Sequence, residues 1–212
     1  NITGCQSGLA AILISGDDLT LDCAFYKISD SQVGIRMDDS EGVLIKDCVL
    51  EDNAIGVYVF NSEDAEIENT TITRAVSTAI YVFGEESDLV ITNSELIDNV
   101  DNDLWMTSGN AVFLNTTTTN DEMQYIFTAG SVTIKWFLDL QVLDTSGYPL
   151  NLTTVTMFDN LGNQSIYTTN SEGRIIRQNL TEYTIDEDAE TNYWPYNSTI
   201  ELDSYHPGSI SV

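Results

Sequence analysis

Basic side chains are scarce in this chain of 212 residues. Lys and Arg number 7 against 34 Asp and Glu, and the formal net charge is −27. Binding to nucleic acid or to an anionic membrane surface needs clustered Lys and Arg, so we expect neither as a partner. The acidic excess indicates either cation binding or solubility in salt, where counter-ions screen the self-repulsion, and the second explanation is simpler.

Histidine and long apolar runs are equally rare. The single histidine, His206, lies beside Pro207 near the C-terminus, so a Ser-His-Asp or Cys-His arrangement and a histidine-based metal site are not expected. No apolar run approaches the ~18 residues of a membrane span. No signal peptide is present and Asn1 begins within a repeat, so we interpret the chain as a segment of a longer protein.

Cysteines are few and confined to the first quarter of the chain, at Cys5, Cys23 and Cys48. Their spacing matches no zinc pattern. Two interpretations stay open, one disulfide with a leftover thiol or three buried small residues, and the second is favoured.

What is abundant is Asn with Ser or Thr two residues later. Seven such sequons occur, at Asn1, Asn69, Asn115, Asn151, Asn163, Asn179 and Asn197. Sequons are used only in a chain that passes through a glycosylating export route. We therefore predict an extracellular or cell-surface protein that carries N-linked glycans.

The first half of the chain repeats with a period of about two dozen residues. An apolar triplet follows a small residue at Ala11, Gly34, Gly56, Ala79 and Ala111. The last step is longer, which predicts an insertion over residues 101–109. Two more apolar columns keep the same period, through Leu21, Ile45, Ile67 and Ile91 and through Leu50, Ile72 and Leu96.

One such coil cannot bury its own inner face, but coils stacked about 4.8 Å apart form a continuous core. The three columns over residues 1–118 resemble the right-handed parallel β-helix repeats of the pectate-lyase-like superfamily. We predict an all-β chain with about five coils in residues 1–124. Coil ends expose strand edges that pair readily, so we expect self-association.

Acidic residues follow each apolar triplet. Stacking would bring carboxylates into a column that includes Asp38, Asp39, Glu41, Glu63, Asp64, Glu86 and Asp88. Calcium takes six to eight oxygen ligands and is the candidate ion for this column. Solvated turns are the simpler interpretation, and the fold requires no cofactor.

Outward aromatic residues form a predicted stripe at Tyr58, Tyr81 and Phe113. A stack of rings on one face fits a sugar platform or a subunit contact. The alternative is that the rings pack beneath a covering loop.

The second half follows a different pattern. Strict alternation from Val132 to Val142, then short runs with turns every 8–12 residues, predicts a β-sandwich over residues 125–212. The stretches 140–150 and 168–173 resemble carboxypeptidase-regulatory-like (transthyretin-like) sandwiches, although Leu152-Thr153-Thr154 replaces the usual Gly-Ala of that family. Such modules follow β-helix repeats in archaeal cell-surface proteins, and the resemblance implies a non-catalytic spacer or interaction module.

Sugar chemistry is the main alternative to a structural role. Asp38 and Asp39 resemble the paired aspartates of polygalacturonases, but the Asn-Thr-Asp, Gly-His-Gly and Arg-Ile-Lys motifs of that family are missing. A polysaccharide lyase needs a basic residue, and Arg36 is the best placed, although a surface salt bridge is its favoured role.

Two functional hypotheses follow. The favoured one is a structural or adhesive surface protein, of the kind found in archaeal S-layers, that assembles into a lattice or filament and is not an enzyme. The alternative is a domain that binds or cleaves polysaccharide.

Overall fold

The computed structural model describes residues 2–3, 10–84, 87–119, 124–125, 130–187, 189–202 and 208–211. These residues form β-strands, turns and bends, and none of them belongs to an α-helix. A helix long and apolar enough to cross a membrane is accordingly not found among them. The chain divides into two compact units, Asn1–Thr133 with Ile185–Ala189 and Ile134–Thr184 with Glu190–Val212.

The first unit is built from three parallel sheets, each of which takes one strand from every coil. The first sheet contains β1 (Ile2–Thr3), β4 (Lys27–Ser29), β7 (Val49–Glu51), β10 (Thr71–Thr73), β13 (Glu95–Ile97) and β16 (Thr117–Thr118). The second contains β2 (Ala10–Ile14), β5 (Val33–Asp38), β8 (Ile55–Phe60), β11 (Thr78–Phe83), β14 (Asn102–Met106) and β17 (Gln124–Tyr125). The third contains β3 (Thr20–Asp22), β6 (Leu44–Lys46), β9 (Ala65–Glu68), β12 (Asp88–Thr92) and β15 (Gly109–Leu114), followed by β18 (Gly130–Leu138).

Successive coils stack in register, as the repeat predicts, and make a right-handed β-solenoid of about five turns. In the second sheet one inward column runs through Ile12, Ile35, Val57, Ile80 and Leu104. The last four of these side chains are 0% exposed. Strands within the stack are buried on their inner side by the coils above and below, which is why strands of six residues or fewer suffice in these coils.

Asn, Asp, Ser and Thr recur at the bends for a structural reason. Asp47, Asn69, Asn93 and Asn115 hold φ between 47° and 53°, a left-handed conformation that Asn and Asp tolerate better than other side chains. After each of the three asparagines the next residue is Thr or Ser, which turns inward, and its hydroxyl oxygen accepts a backbone N–H from the preceding coil. Thr70 N donates to Ser94 Oγ at 3.1 Å, and Ser94 N donates to Thr116 Oγ1 at 3.4 Å.

A disulfide links the first two of these coils. Stacking places Cys23 beside the strand that leads to Cys48, with Cys23 N donating to Lys46 O at 3.0 Å. The two cysteines are bonded, with Cα atoms 4.8 Å apart. The favoured interpretation, three buried unpaired cysteines, was therefore wrong for this pair, because a period close to their separation brings them together. Cys5 lies outside the described residues.

The fifth coil differs from the prediction. Residues 101–109 are not an insertion, because β14 continues the second sheet in register with β11. Asp103 occupies the position that Gly34, Gly56 and Ala79 hold in earlier coils. Its carboxylate is 0% exposed and accepts a hydrogen bond from Asn99 Nδ2 at 2.8 Å. An aspartate does not fit the pattern of small residues, so the sequence predicted Ala111 at this position of the fifth coil. Ala111 lies instead on β15 in the third sheet.

The second unit contains an antiparallel sheet in the order β20 (Gln164–Thr168), β19 (Thr154–Phe158), β23 (Asn197–Glu201) and β24 (Gly208–Ser211). It also contains the end of β18, most of β21 (Gln178–Asp186) and β22 (Glu190–Asn192). Val142, Val155, Met157 and Ile175 form its buried cluster. Leu138 of β18 and Leu180 of β21 pack on this cluster, so strands outside the antiparallel sheet contribute to the same core.

Candidate functional site

The outward face of the second sheet carries a ladder of aromatic rings. Tyr58, Tyr81 and Trp105 occupy equivalent positions on β8, β11 and β14, and we call these three residues the aromatic ladder. The centroids of Tyr58 and Tyr81 are 5.1 Å apart, and those of Tyr81 and Trp105 are 6.2 Å apart. The rings lie one above another because the inward residues on either side of each one fix its strand in the solenoid core. The Tyr58 and Tyr81 planes are tilted by 48°, and Tyr81 and Trp105 meet edge to face at 80°.

Phe113 does not belong to this ladder. It lies on β15 and is 1% exposed, so the expectation that it faces outward was wrong. Because residues 102–106 continue the second sheet, Trp105 fills the outward position that was assigned to Phe113. Phe113 pairs instead with Ile91 in the inward column of the third sheet.

A positively charged side chain lies next to the ladder. Arg36 on β5 precedes Tyr58 in the same column, and its Cζ lies 4.9 Å from the ring centroid. Arg36 Nε donates to Asp38 Oδ1 at 2.7 Å, which raises the pKa of the guanidinium and confirms the expected salt bridge. Burial and the neighbouring Tyr81 raise the pKa of the Tyr58 phenol, so this hydroxyl stays protonated at neutral pH.

An acidic groove of about 850 Å³ lies beside the ladder. Phe60 and Phe83 form part of its wall, with ring centroids 5.8 Å apart and planes within 11° of parallel. Four carboxylates also line it: Asp17, Asp39, Glu41 and Glu63. Among the lining residues that the structure describes there is no Lys, Arg or His.

The groove carboxylates come from neighbouring coils. Asp17 Oδ1 accepts the backbone N–H of Glu41 at 3.0 Å, and Glu41 bridges to Glu63 in parallel register. Asp39 Oδ1 accepts from Asn61 Nδ2 at 3.2 Å. The acidic groove therefore combines hydrogen-bonded carboxylates with the faces of aromatic rings, whereas the sequence predicted a column of carboxylates alone.

The other residues of the predicted calcium column are spread out. Asp38 pairs with Arg36, and Asp88 Oδ1 accepts both the N–H and the side-chain amide of Asn110. Asp64 is exposed and lines a different depression. Glu86 lies outside the described residues. Within the described part of the chain no three His, Cys, Asp or Glu side chains gather as a metal site would require, and calcium binding stays a prediction.

The predicted glycosylation sites are accessible wherever they are described. Six asparagines are exposed: Asn69, Asn115, Asn151, Asn163, Asn179 and Asn197. Asn1 lies outside the described residues. Asn115 and Asn163 use their side-chain amides locally, since Asn115 donates to Asn93 and Asn163 donates to Asp159. Their modification stays a prediction that this exposure permits.

The arrangement is suited to binding. Ring faces offer flat, polarisable surfaces, and carboxylates accept hydrogen bonds from hydroxyl groups. Sequence reasoning missed Phe60, Phe83 and Trp105. The phenylalanines had a usable signal, because each follows a ladder tyrosine by two residues and so shares its outward face. Trp105 had no such signal, because Asp103 replaces the Gly or Ala that marks this strand in the earlier coils.

Comparison with known proteins gives one strong match. A family model described as "Right handed beta helix region" matches residues 1–135. Among solved structures, ORF18 of Geobacillus virus E2 aligns at 10% identity with a TM-score of 0.35, over 87% of this chain and 57% of that one. The chain thus spans less than two thirds of that protein. No curated protein matches.

Proposed function

The chain belongs to the right-handed β-helix family, and on that premise we propose that its first unit is a non-catalytic, polysaccharide-binding face of an adhesive surface protein. One observation carries the proposal, the aromatic ladder beside the acidic groove. Family membership alone supports no activity, because one fold serves many functions.

The ladder fits a polymer of sugar rings. A pyranose ring has a flat face of C–H groups that packs on the negative face of an aromatic ring, and its hydroxyls need acceptors at the side. The in-register rings of Tyr58 and Tyr81 offer such faces at coil spacing. The groove carboxylates lie on the same corner of the solenoid, where they accept hydroxyl hydrogen bonds.

The charge in the groove favours neutral or cationic sugars. Because Asp17, Asp39, Glu41 and Glu63 line it and its described lining residues include no Lys, Arg or His, a uronate polymer would meet like charge in the groove. The described part of this lining offers no basic side chain to take the proton in a lyase reaction. We therefore place the polysaccharide-cleaving alternative second to binding.

An exported location is part of the proposal. Disulfides persist in oxidising compartments, and the Cys23–Cys48 bond supports such a location. The exposed sequons and the net charge of −27 agree with a glycosylated outer surface in a salty medium. An archaeal surface layer is the setting that we propose, with the second unit as a sandwich-type spacer module.

Self-association is a second candidate role for the same face. Leu13 continues the ladder column beyond Arg36 and is 60% exposed. An exposed apolar residue in line with aromatic rings is typical of interface cores. A lattice or filament built through this column would hide the ladder from polysaccharide.

The test is affinity electrophoresis of the full chain on neutral, amino-sugar and uronate polysaccharides. We expect retardation on one of the first two, and about tenfold weaker retardation for Tyr81→Ala or Trp105→Ala. Tyr148→Ala is the matched control, because Tyr148 is 69% exposed and lies in the second unit.

Three results would overturn the proposal. The first is equal retardation of the ladder variants and the control variant. The second is release of reducing ends that disappears in Asp39→Ala, which would establish cleavage. The third is a sedimentation coefficient that falls in Tyr81→Ala while no polysaccharide retards the wild type, which would assign the ladder to self-association.

A further inference from the structure

The second unit contains an apolar pocket that the glycan proposal does not use. Its volume is about 370 Å³, close to the lower limit for small-molecule sites. Trp136 from β18 and Trp194, which precedes β23, line it together with Tyr196. Both tryptophans remain partly exposed, at 38% and 47%. A contiguous apolar surface of this kind often marks a ligand-binding groove, which makes this pocket a candidate site.

The floor of the pocket is fixed by the core of the second unit. Leu138 and Leu180 line the pocket and also pack against the buried Val155 cluster. Tyr196 packs on the same cluster, and its hydroxyl donates to Thr181 O at 2.9 Å. The Trp194 and Tyr196 rings meet edge to face at 6.4 Å. The aromatic walls are therefore held in place before any ligand binds.

The charge of the pocket is unusual for such an apolar lining. Glu182 is the one charged residue among the described lining residues, and its Oε2 accepts the indole N–H of Trp136 at 2.6 Å. This bond holds the carboxylate at the wall beside the Trp136 ring. Arg177 Cζ lies 4.8 Å from the ring centroid of Phe137, another lining residue, and this guanidinium is paired with Asp139 at 2.7 Å. Aromatic faces are negative, so the rings of Trp136, Trp194 and Tyr196 with the Glu182 carboxylate create negative potential on the other apolar walls.

We propose that this pocket binds a small alkylated ammonium cation. A quaternary or methylated ammonium group presents apolar methyl groups that carry the positive charge, and aromatic cages with an acidic neighbour recognise that combination. A bare metal ion would find few oxygen ligands among the described lining residues, and a uronate or phosphate would be repelled by Glu182. This proposal is independent of the glycan-binding role, since all of its residues lie in the second unit.

Calorimetric titration of the full chain with choline tests the proposal. The paired ligand is the alcohol in which carbon replaces the quaternary nitrogen, because it has the same shape and no charge. We expect saturable choline binding and about tenfold weaker binding of the alcohol. We also expect choline to quench tryptophan fluorescence, and Trp194→Ala to remove most of both signals.

Glu182→Gln separates charge from shape. The glutamine keeps an acceptor for Trp136 Nε1 and removes the carboxylate charge, so choline affinity should fall about fivefold while the alcohol is unaffected. Glu201→Gln is the matched control, since Glu201 is exposed on β23 and does not line the pocket. An unchanged melting temperature shows that the variants are folded.

Any of four outcomes overturns the proposal. These are the absence of saturable choline binding, equal affinity for choline and the alcohol, equal effects of Glu182→Gln and Glu201→Gln, and tighter binding of a methyl glycoside than of choline. The last outcome would make the pocket a neutral sugar site.

Discussion

The two units of this protein build their surfaces in different ways. In the first unit, each coil repeats the positions of the previous one. Aromatic residues at the same outward position of successive coils therefore form a ladder. In the second, Trp136, Glu182 and Trp194 converge from three separate segments on one pocket. Repetition therefore produces an extended face suited to a polymer, whereas convergence produces a single enclosed site suited to a small ligand.

The largest effect is expected at Gly109, where neighbouring coils approach closely. Its φ is +91°, and a Cβ atom there would lie 1.9 Å from Ser87 O. Backbone strain and overpacking together predict that Gly109→Ala lowers the free energy of unfolding of the first unit by about 4 kcal/mol. Hydrogen-exchange mass spectrometry measures this loss for each unit separately.

Gly147 is the matched control in the second unit. Its φ is +86°, and nothing lies within 4 Å of an added Cβ. Gly147→Ala should therefore cost only the conformational strain, about 1 kcal/mol. Equal costs for the two variants would show that coil contact contributes nothing, and would contradict the close stacking of β15 on its neighbours.

Removing the Cys23–Cys48 bond is expected to have the second largest effect. The bond spans 25 residues, and loss of its restraint on the unfolded chain predicts about 3 kcal/mol of destabilisation. The double variant Cys23→Ser with Cys48→Ser should lose protection in the first unit alone. Dithiothreitol should reproduce the loss in the wild type but have no effect on the double variant. A loss of equal size in the second unit would argue against the assigned division of the chain.

The same contrast between the units explains what the sequence could predict. Periodicity located the inward columns, because a residue such as Ile45 recurs as Ile67 and Ile91 on successive coils. The repeat pattern failed to predict the fifth coil, because hydrogen-bonded Asp103 fills a position that is Gly or Ala in the coils before it. The sequence left the disulfide open, because three cysteines can form one bond or none. Only the stacking of the coils shows that Cys23 and Cys48 are neighbours.

The second unit offered no comparable signal for its pocket. Alternation located the strand that holds Trp136, but nothing in the spacing of Trp136, Glu182 and Trp194 indicates that they meet. Their proximity depends on how β18 and β21 pack on the Val155 cluster, which is a tertiary property. Non-repetitive sites of this kind are visible only once the fold is known.

A smaller effect is expected from removing one methyl group in the solenoid core. Ile80 is 0% exposed, so Ile80→Val should cost about 1 kcal/mol through the cavity that it leaves. Ile176 in the second unit is 86% exposed, and Ile176→Val should change stability by less than about 0.5 kcal/mol. Urea denaturation followed by hydrogen exchange distinguishes the two. A cost at Ile176 as large as at Ile80 would contradict the assigned burial.

The smallest effect concerns how the turns of the two units respond to acid. Many solenoid bends are held by backbone bonds to the next coil without a carboxylate acceptor, as when Asp47 N donates to Glu68 O at 3.1 Å. The turn after β19 is instead held by a carboxylate. Asp159 Oδ1 accepts from Leu161 N at 2.9 Å and from Asn163 N at 2.8 Å, and Oδ2 accepts from Asn163 Nδ2 at 2.8 Å. Only the second kind of turn depends directly on protonation.

Partial burial of Asp159 raises its pKa, but the hydrogen bonds from Asn163, Leu161 and Gly162 outweigh burial and lower the pKa in the folded state. A depressed carboxyl pKa stabilises the fold above the unfolded value of about 3.9, and this contribution disappears as pH falls through the folded value. The stability difference between wild type and Asp159→Asn should therefore be constant near neutral pH and shrink below about pH 4. Urea midpoints measured across this range test it, and a difference that grows in acid would show that Asp159 is bound more tightly in its protonated form.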